Sequence, residues 1–149
     1  MICKKLLFTA LTSSFLFGAA NAVSLSSLDG SWILRTMDGH QVSSARAILD
    51  FNSKHKKIDG YDGCNRIEGK LALHTNNIYS SKLKTYRYEC RNSTKRFVSA
   101  RLHTAIAEGF TIQKAKMQGE KGILLQSPHH KLFFKKLGGN FITDYFKIP

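Results

Sequence analysis

Cys64 and Cys90 are the side chains whose type and number most constrain the chemistry of this chain. A zinc site needs four ligands, and neither cysteine has a histidine cluster near it in sequence. A redox pair would show C-x-x-C spacing, which is absent. An even pair of cysteines in an exported chain is most simply a disulfide. Closing a loop of about 26 residues, it would stabilise the fold by roughly 3 to 4 kcal/mol in the chain-entropy model. Other reactive types are present without a reactive pattern. His129-His130 would point to opposite faces of a strand, with no carboxylate or cysteine near in sequence, and reads as turn histidines rather than a metal site. Ser26, Ser27 and Ser31 lack a Gly-x-Ser-x-Gly setting. Asp62 and Glu68 have the types of an acid and a base, but turn former and surface charge describe them better. No catalytic residue, metal site or cofactor is expected.

The compartment follows from the first residues. Lys4 and Lys5 precede an uncharged apolar run, Leu6 to Ala20, and Ala20-Asn21-Ala22 is an A-x-A cleavage site. That is the pattern of a secretory signal peptide cleaved after Ala22. The run is interrupted by Thr9, Thr12, Ser13 and Ser14 and is short of the roughly 20 residues that span a bilayer. No cysteine follows it at once, so a lipid-modified N-terminus is not expected, and Cys3 would leave with the peptide. The mature chain, residues 23–149, is one domain without a transmembrane segment, periplasmic or secreted.

The elements around Cys64 and Cys90 are mostly strands. Leu28 to Leu34 opens with a turn and a strand, Trp32 and Leu34 facing one side and Ile33 and Arg35 the other. Arg46 to Phe51 alternates, and so does Ile67 to Leu73. Between them lies Gly60-Tyr61-Asp62-Gly63-Cys64-Asn65-Arg66-Ile67-Glu68-Gly69, with the glycines, Asp and Asn of a tight turn or bulge. Ile78 to Tyr88 reads as one longer strand. A helix over Thr94 to Glu108 follows Cys90, capped by Asn92 or Ser93, ended by Gly109, with Val98, Leu102, Ala105 and Ile106 as its apolar stripe. Phe110 to Met117, Gly122 to Gln126 and Lys131 to Lys136 form a meander. Phe141 to Ile148 is an edge strand or a tail. The fold class is α+β: a strongly bent antiparallel sheet, a partly open barrel, with one packed helix.

Leu28-x-Gly30-Ser31-Trp32-x-Leu34, then Gly60-x-x-Gly63-Cys64-Asn65-Arg66-x-x-Gly69, then Thr85-x-Arg87-x-x-Cys90 before a helix, resemble the META domain, the HslJ-like family of small bacterial envelope proteins. Tyr88 stands where that family usually carries Met, and the helix start is more basic than usual. The resemblance implies a barrel-like antiparallel fold similar to secretin pilotins, an envelope location, a loose association with heat stress, antibiotic tolerance or virulence, and no enzymatic activity. It makes Gly30, Trp32, Gly60, Gly63, Asn65, Arg66 and Gly69 structural motif residues. On their own chemistry, Asn65 is able to bond the backbone of its turn, and Arg66 and Glu68 share a strand face and could pair.

Binding is the class the charge supports. Lys plus Arg number 23 against 10 Asp plus Glu, a formal net charge of +13. Such a charge attracts anionic partners. With export expected, lipopolysaccharide, anionic phospholipid or an acidic envelope protein fits better than nucleic acid. Lys95 and Arg96 would stand in the helix's first turn, where the dipole disfavours cations. Arg87, Arg91, Lys95 and Arg96 are therefore the candidate surface for an anionic envelope component, a plain solvated basic surface being the alternative. A second reading is a pilotin-like barrel for a lipid or hydrophobic peptide, motivated by Phe51, Phe110, Phe133, Phe134, Phe141 and Phe146. Inhibition of a basic lysozyme is disfavoured because like charges repel.

Overall fold

The computed structural model describes residues 23–86 and 89–138. After a short 3-10 turn, Leu25–Leu28, come β1 (Gly30–Met37), β2 (His40–Gln41), β3 (Ile48–Asn52), β4 (Lys57–Tyr61) and β5 (Arg66–Lys70). Then follow β6 (Ala72–Leu73), β7 (Tyr79–Ser80), β8 (Lys84–Thr85), the helix α1 (Ser93–Glu108), β9 (Thr111–Met117), β10 (Glu120–Gln126) and β11 (Lys131–Lys136). The main sheet runs β8-β5-β4-β3-β1-β11-β10-β9, with β2 also on β1, and its pairings are antiparallel. The expected edge strand or tail at Phe141 to Ile148 lies outside the described residues.

Eight strands laid flat would put the outer two about 34 Å apart, at ~4.8 Å per step. Yet Ile58 of β4, Ile67 of β5, Ile112 of β9 and Ile123 of β10 belong to one hydrophobic cluster. The sheet must therefore bend until its two halves share a core. It stops short of closure, because β8 and β9 do not pair. The gap is crossed by the small β6–β7 hairpin. Tyr79 and Phe110 exchange backbone hydrogen bonds of 2.8 Å in each direction, and Ser81 N donates to Ile106 O at 3.1 Å. The alternation read from the sequence holds at the start of β1, where Trp32 and Leu34 enter this core and Ile33 lies on the other face. It slips at the irregularity after Leu34, beyond which Met37 is the core residue. Gly60 allows a close backbone approach, since a Cβ there would collide with Ile48 O across β3–β4.

The helix begins where the sequence places it. Asn92 Oδ1 accepts from Lys95 N at 3.0 Å, a cap of about 1 kcal/mol, and Gly109 ends it with φ of 101°. Its first turn carries no acid and its last turn no base. Packing supplies its stability: Val98, Leu102, Ala105 and Ile106 are fully buried, and burying a Val, Leu or Ile side chain contributes about 1.5–3 kcal/mol.

The expected long strand from Ile78 to Tyr88 is instead two short pieces, β7 and β8. Between them Ser81 turns its backbone to the helix end rather than to a strand neighbour, which breaks the ladder. Arg87 and Tyr88 lie outside the described residues.

Candidate functional site

The loop after β4 is organised by Asp62, whose side chain is fully buried. Its Oδ1 accepts from Cys64 N at 2.7 Å and Asn65 N at 2.6 Å. Its Oδ2 accepts from Ser99 Oγ at 2.9 Å and lies 2.8 Å from His103 Nε2. Burial opposes ionisation of Asp62, but the bonds from His103, the two amides and Ser99 hold its carboxyl below the usual range. Asp62 is thus the turn former, and Glu68 stays an exposed charge on β5. Asp62 makes the Asx-type bonds to the backbone of this turn. Beside it Cys64 is disulfide-bonded to Cys90, with Cα atoms 5.4 Å apart. One loop is therefore tied to the helix twice, covalently just ahead of its cap and by a carboxylate at Ser99 and His103.

Ser99, Asp62 and His103 are the residue types of a hydrolase triad in the wrong order. The carboxylate sits between hydroxyl and imidazole, whereas a nucleophile needs its base at the hydroxyl. Ser127, Glu108 and His129 repeat the arrangement. Glu108 binds the Ser127 hydroxyl and lies 2.7 Å from His129 Nδ1, and these bonds draw its pKa down from 4.5 to about 2. They pin the helix end to the β10–β11 turn, which offsets the unfavourable placement of Glu108 near the negative end of the helix. His130 turns to Asp38 instead, 2.7 Å away. Among the described residues, no group of three His, Cys, Asp or Glu side chains is placed to hold a metal.

The motif residues are spread along the sheet. Gly30 and Trp32 lie in β1, Trp32 Nε1 donating to Leu28 O at 2.8 Å. Gly60 lies in β4, and Arg66 and Gly69 in β5. Gly63, before Cys64, faces Lys95 O and Ala45. Glu68 accepts from Tyr86 Oη at 3.3 Å, and no ion pair forms between Arg66 and Glu68. At the helix start, Arg91 pairs with Glu89 at 3.2 Å, both exposed. Arg96 Nη1 donates to Cys90 O at 3.3 Å and Arg91 O at 3.2 Å, and Lys95 is half-buried. Arg101 stacks on Phe97, 3.6 Å from the ring centroid. Arg87 lies outside the described residues.

Two clefts gather the lysines. One, about 600 Å³, sits on β4, β5 and the β7–β8 segment, with Lys57, Lys70, Lys82 and Lys84 around Asp59 and Glu68. Burial lifts the Asp59 carboxyl above the usual range, against the pull of Arg66 and with Glu68 adding to it. Gly69 brings β5 against Ser81, where a Cβ would strike the Ser81 hydroxyl. The other cleft, about 580 Å³, lies between the N-terminal turn and the β9–β10 hairpin. Leu28, Trp32 and Ile123 form its floor and Lys114, Lys116, Lys121 and Lys136 its rim. Lys114, Lys116 and Lys121 stand outside the clusters picked out by sequence. Their signal was the period-2 spacing with Ile112 and Ile123, which puts them on the core face.

Residues 24–137 match the META domain family. The chain belongs to that family. Two NMR structures share the META domain's fold, each at 22% identity and over 76% of this chain. One is of a protein from Burkholderia xenovorans, with TM-score 0.56 and 86% of that chain covered. The other has TM-score 0.60 with 95% covered. At that identity the likeness is one of fold. No curated protein matches this META domain. Among the described residues no helix is long and apolar enough to cross a membrane.

Proposed function

We propose that this META domain is a non-catalytic, exported module of the cell envelope whose basic surface engages an anionic envelope component. One observation carries the reading: among the described residues, most carboxylates are held by groups of the fold itself, so few are left to offset the many lysines and arginines. Among the described residues, only Glu89 and Glu120 form ion pairs with Lys or Arg. Asp29, Asp38, Asp62 and Glu108 bind amides, hydroxyls or imidazoles of the fold. The disulfide suits an oxidising compartment. Arg91, Lys95 and Arg96 form one candidate contact surface, and the two lysine clefts form others. A role in stress or virulence would follow from such a partner.

The pilotin-like reading is less favoured. Leu34, Leu49, Ile58, Ile67, Leu125 and Phe134 fill the space inside the bent sheet, and each is almost completely buried. The deciding experiment is co-sedimentation of the mature chain with vesicles of anionic or purely zwitterionic phospholipid across a salt series. Binding to the anionic vesicles alone, weakened by salt, is expected. Equal or absent binding to both would reject the reading.

A further inference from the structure

The cleft between the N-terminal turn and the β9–β10 hairpin has a construction the rest of the basic surface lacks. In β9, Lys114 and Lys116 continue the face that Ile112 places in the core; in β10, Lys121 continues that of Ile123 and Leu125. Lys136 does the same in β11 after Leu132 and Phe134. Each inward-facing row thus ends in exposed lysines, at the strand ends away from the helix. Lys116 and Lys121 are direct cross-strand partners, and Lys136 faces Trp32, its Nζ 5.6 Å from the ring centroid. Like charges placed directly opposite destabilise a sheet. In the other lysine cleft the cost is relieved locally: Lys57 and Lys70 are opposed too, but Asp59 and Glu68 oppose each other two rungs along, and Lys84 faces Glu68. Among the described residues, no carboxylate lines the cleft at Trp32. Asp29, which Lys136 influences, is already bound by the N–H and hydroxyl of Ser53.

From this placement we infer that the Lys114–Lys116–Lys121–Lys136 rim is the face the protein lays on a bilayer of anionic phospholipid, with lipid phosphates seated between the ammonium groups. The inference rests on the reading above and moves its contact from the helix start to the open end of the sheet. Lysine is a point charge without a directional fork, suited to a field of mobile headgroups rather than one fixed anion. A soluble anion would call for convergent hydroxyl or amide donors. The Ser27 hydroxyl in the wall instead donates to Ser24 O. An apolar floor within a cationic rim matches an interface where acyl chains lie beneath phosphates. Cleavage after Ala22 would add the α-ammonium of Val23, itself part of the wall.

Trp32 is the only tryptophan in the chain and lies in this floor, so its emission reports on this face alone. The test compares the mature chain with Lys116→Gln/Lys121→Gln and with Lys57→Gln/Lys84→Gln, which carries the same net charge. Partition onto anionic phospholipid vesicles should fall about 30-fold in the first variant, at about 1 kcal/mol per lysine near such a surface, and far less in the second. Lys116→Arg/Lys121→Arg should bind as the parent does, and vesicles should shift Trp32 emission. Equal losses in the two Gln variants, or parent binding with unchanged Trp32 emission, would overturn the inference while leaving the broader reading standing. Failure of the parent to bind would remove both. Release by inorganic phosphate beyond that caused by chloride of equal ionic strength would mark a free-phosphate site and also overturn it.

Discussion

His103 Nε2 lies 2.8 Å from the buried Asp62 carboxylate, a contact that joins residues 41 apart in the chain. With Ser99 Oγ on the same oxygen and two loop amides on the other, one side chain fixes both the Cys64 turn and its distance from the helix. Asp62→Ala leaves four donors without their acceptor beside a part-buried helix face. It should cost about 3 kcal/mol, each bond to a charged group contributing roughly 1.5–3 kcal/mol gross of compensation. Asp62→Asn keeps the volume but replaces one acceptor oxygen with a donor, so its loss should be smaller. Urea unfolding of the oxidised proteins measures both, and a neutral Asp62→Ala would show that the site is wet.

The same carboxylate makes stability depend on acid. Asp62 in the fold titrates below its ordinary 3.8, and Glu108 is drawn from 4.5 to about 2. Both folded values lie below the unfolded ones. The stabilisation is complete above about pH 5 and drains away as pH falls through 4 towards 2. Asp50 and Asp59 run the other way, since burial raises them, so the total profile is a compromise. The informative quantity is the difference between parent and variant. The melting temperatures of the parent and of Glu108→Gln should converge between pH 5 and pH 2, and a constant offset would contradict the assignment.

Reducing the Cys64–Cys90 bond should lower stability by roughly 3 to 4 kcal/mol for a loop of 26 residues. The loss should be concentrated at one place. Asp62 still ties the loop to Ser99 and His103 after reduction, so the helix stays docked while its first turn frays. Hydrogen exchange on Cys64→Ser/Cys90→Ser should show faster amides at Thr94 to Phe97 and little change at Leu102 to Ile106. Uniform acceleration along the helix would mean that the sulfur bridge, not the carboxylate, holds it.

Much of this arrangement was legible in the chain. The helix, its cap and its buried stripe follow from Asn92, Gly109 and the spacing of Val98, Leu102 and Ile106. The bent sheet follows from alternation in β1, β3 and β5, and the disulfide from an even cysteine pair. Hidden were contacts between residues far apart in sequence. Nothing local to Asp62 announces Ser99 and His103, and nothing local to Glu108 announces Ser127 and His129. The break between β7 and β8 was hidden for a similar reason, because Ser81 answers to Ile106 on the helix rather than to its strand neighbours. The lysines at 114, 116 and 121 were visible as a pattern, yet their convergence on Trp32 depends on the curl of the sheet.

The two cations in the helix's first turn should respond differently to reversal. Lys95 makes no side-chain ion pair or hydrogen bond with the described residues and sits where the dipole is unfavourable, so Lys95→Glu should stabilise the protein by about 0.3–1 kcal/mol. Arg96 meets the same dipole, but its guanidinium donates to Cys90 O and Arg91 O, the carbonyls that lead into the helix. Arg96→Glu loses those bonds and sets a carboxylate against the carbonyl oxygens, which should cancel the dipole gain. Thermal melts at low and high salt distinguish the terms, since the dipole contribution is screened and the direct bonds far less so. Equal stabilisation by both reversals would mean that the Arg96 contacts contribute nothing to holding the entry to the helix.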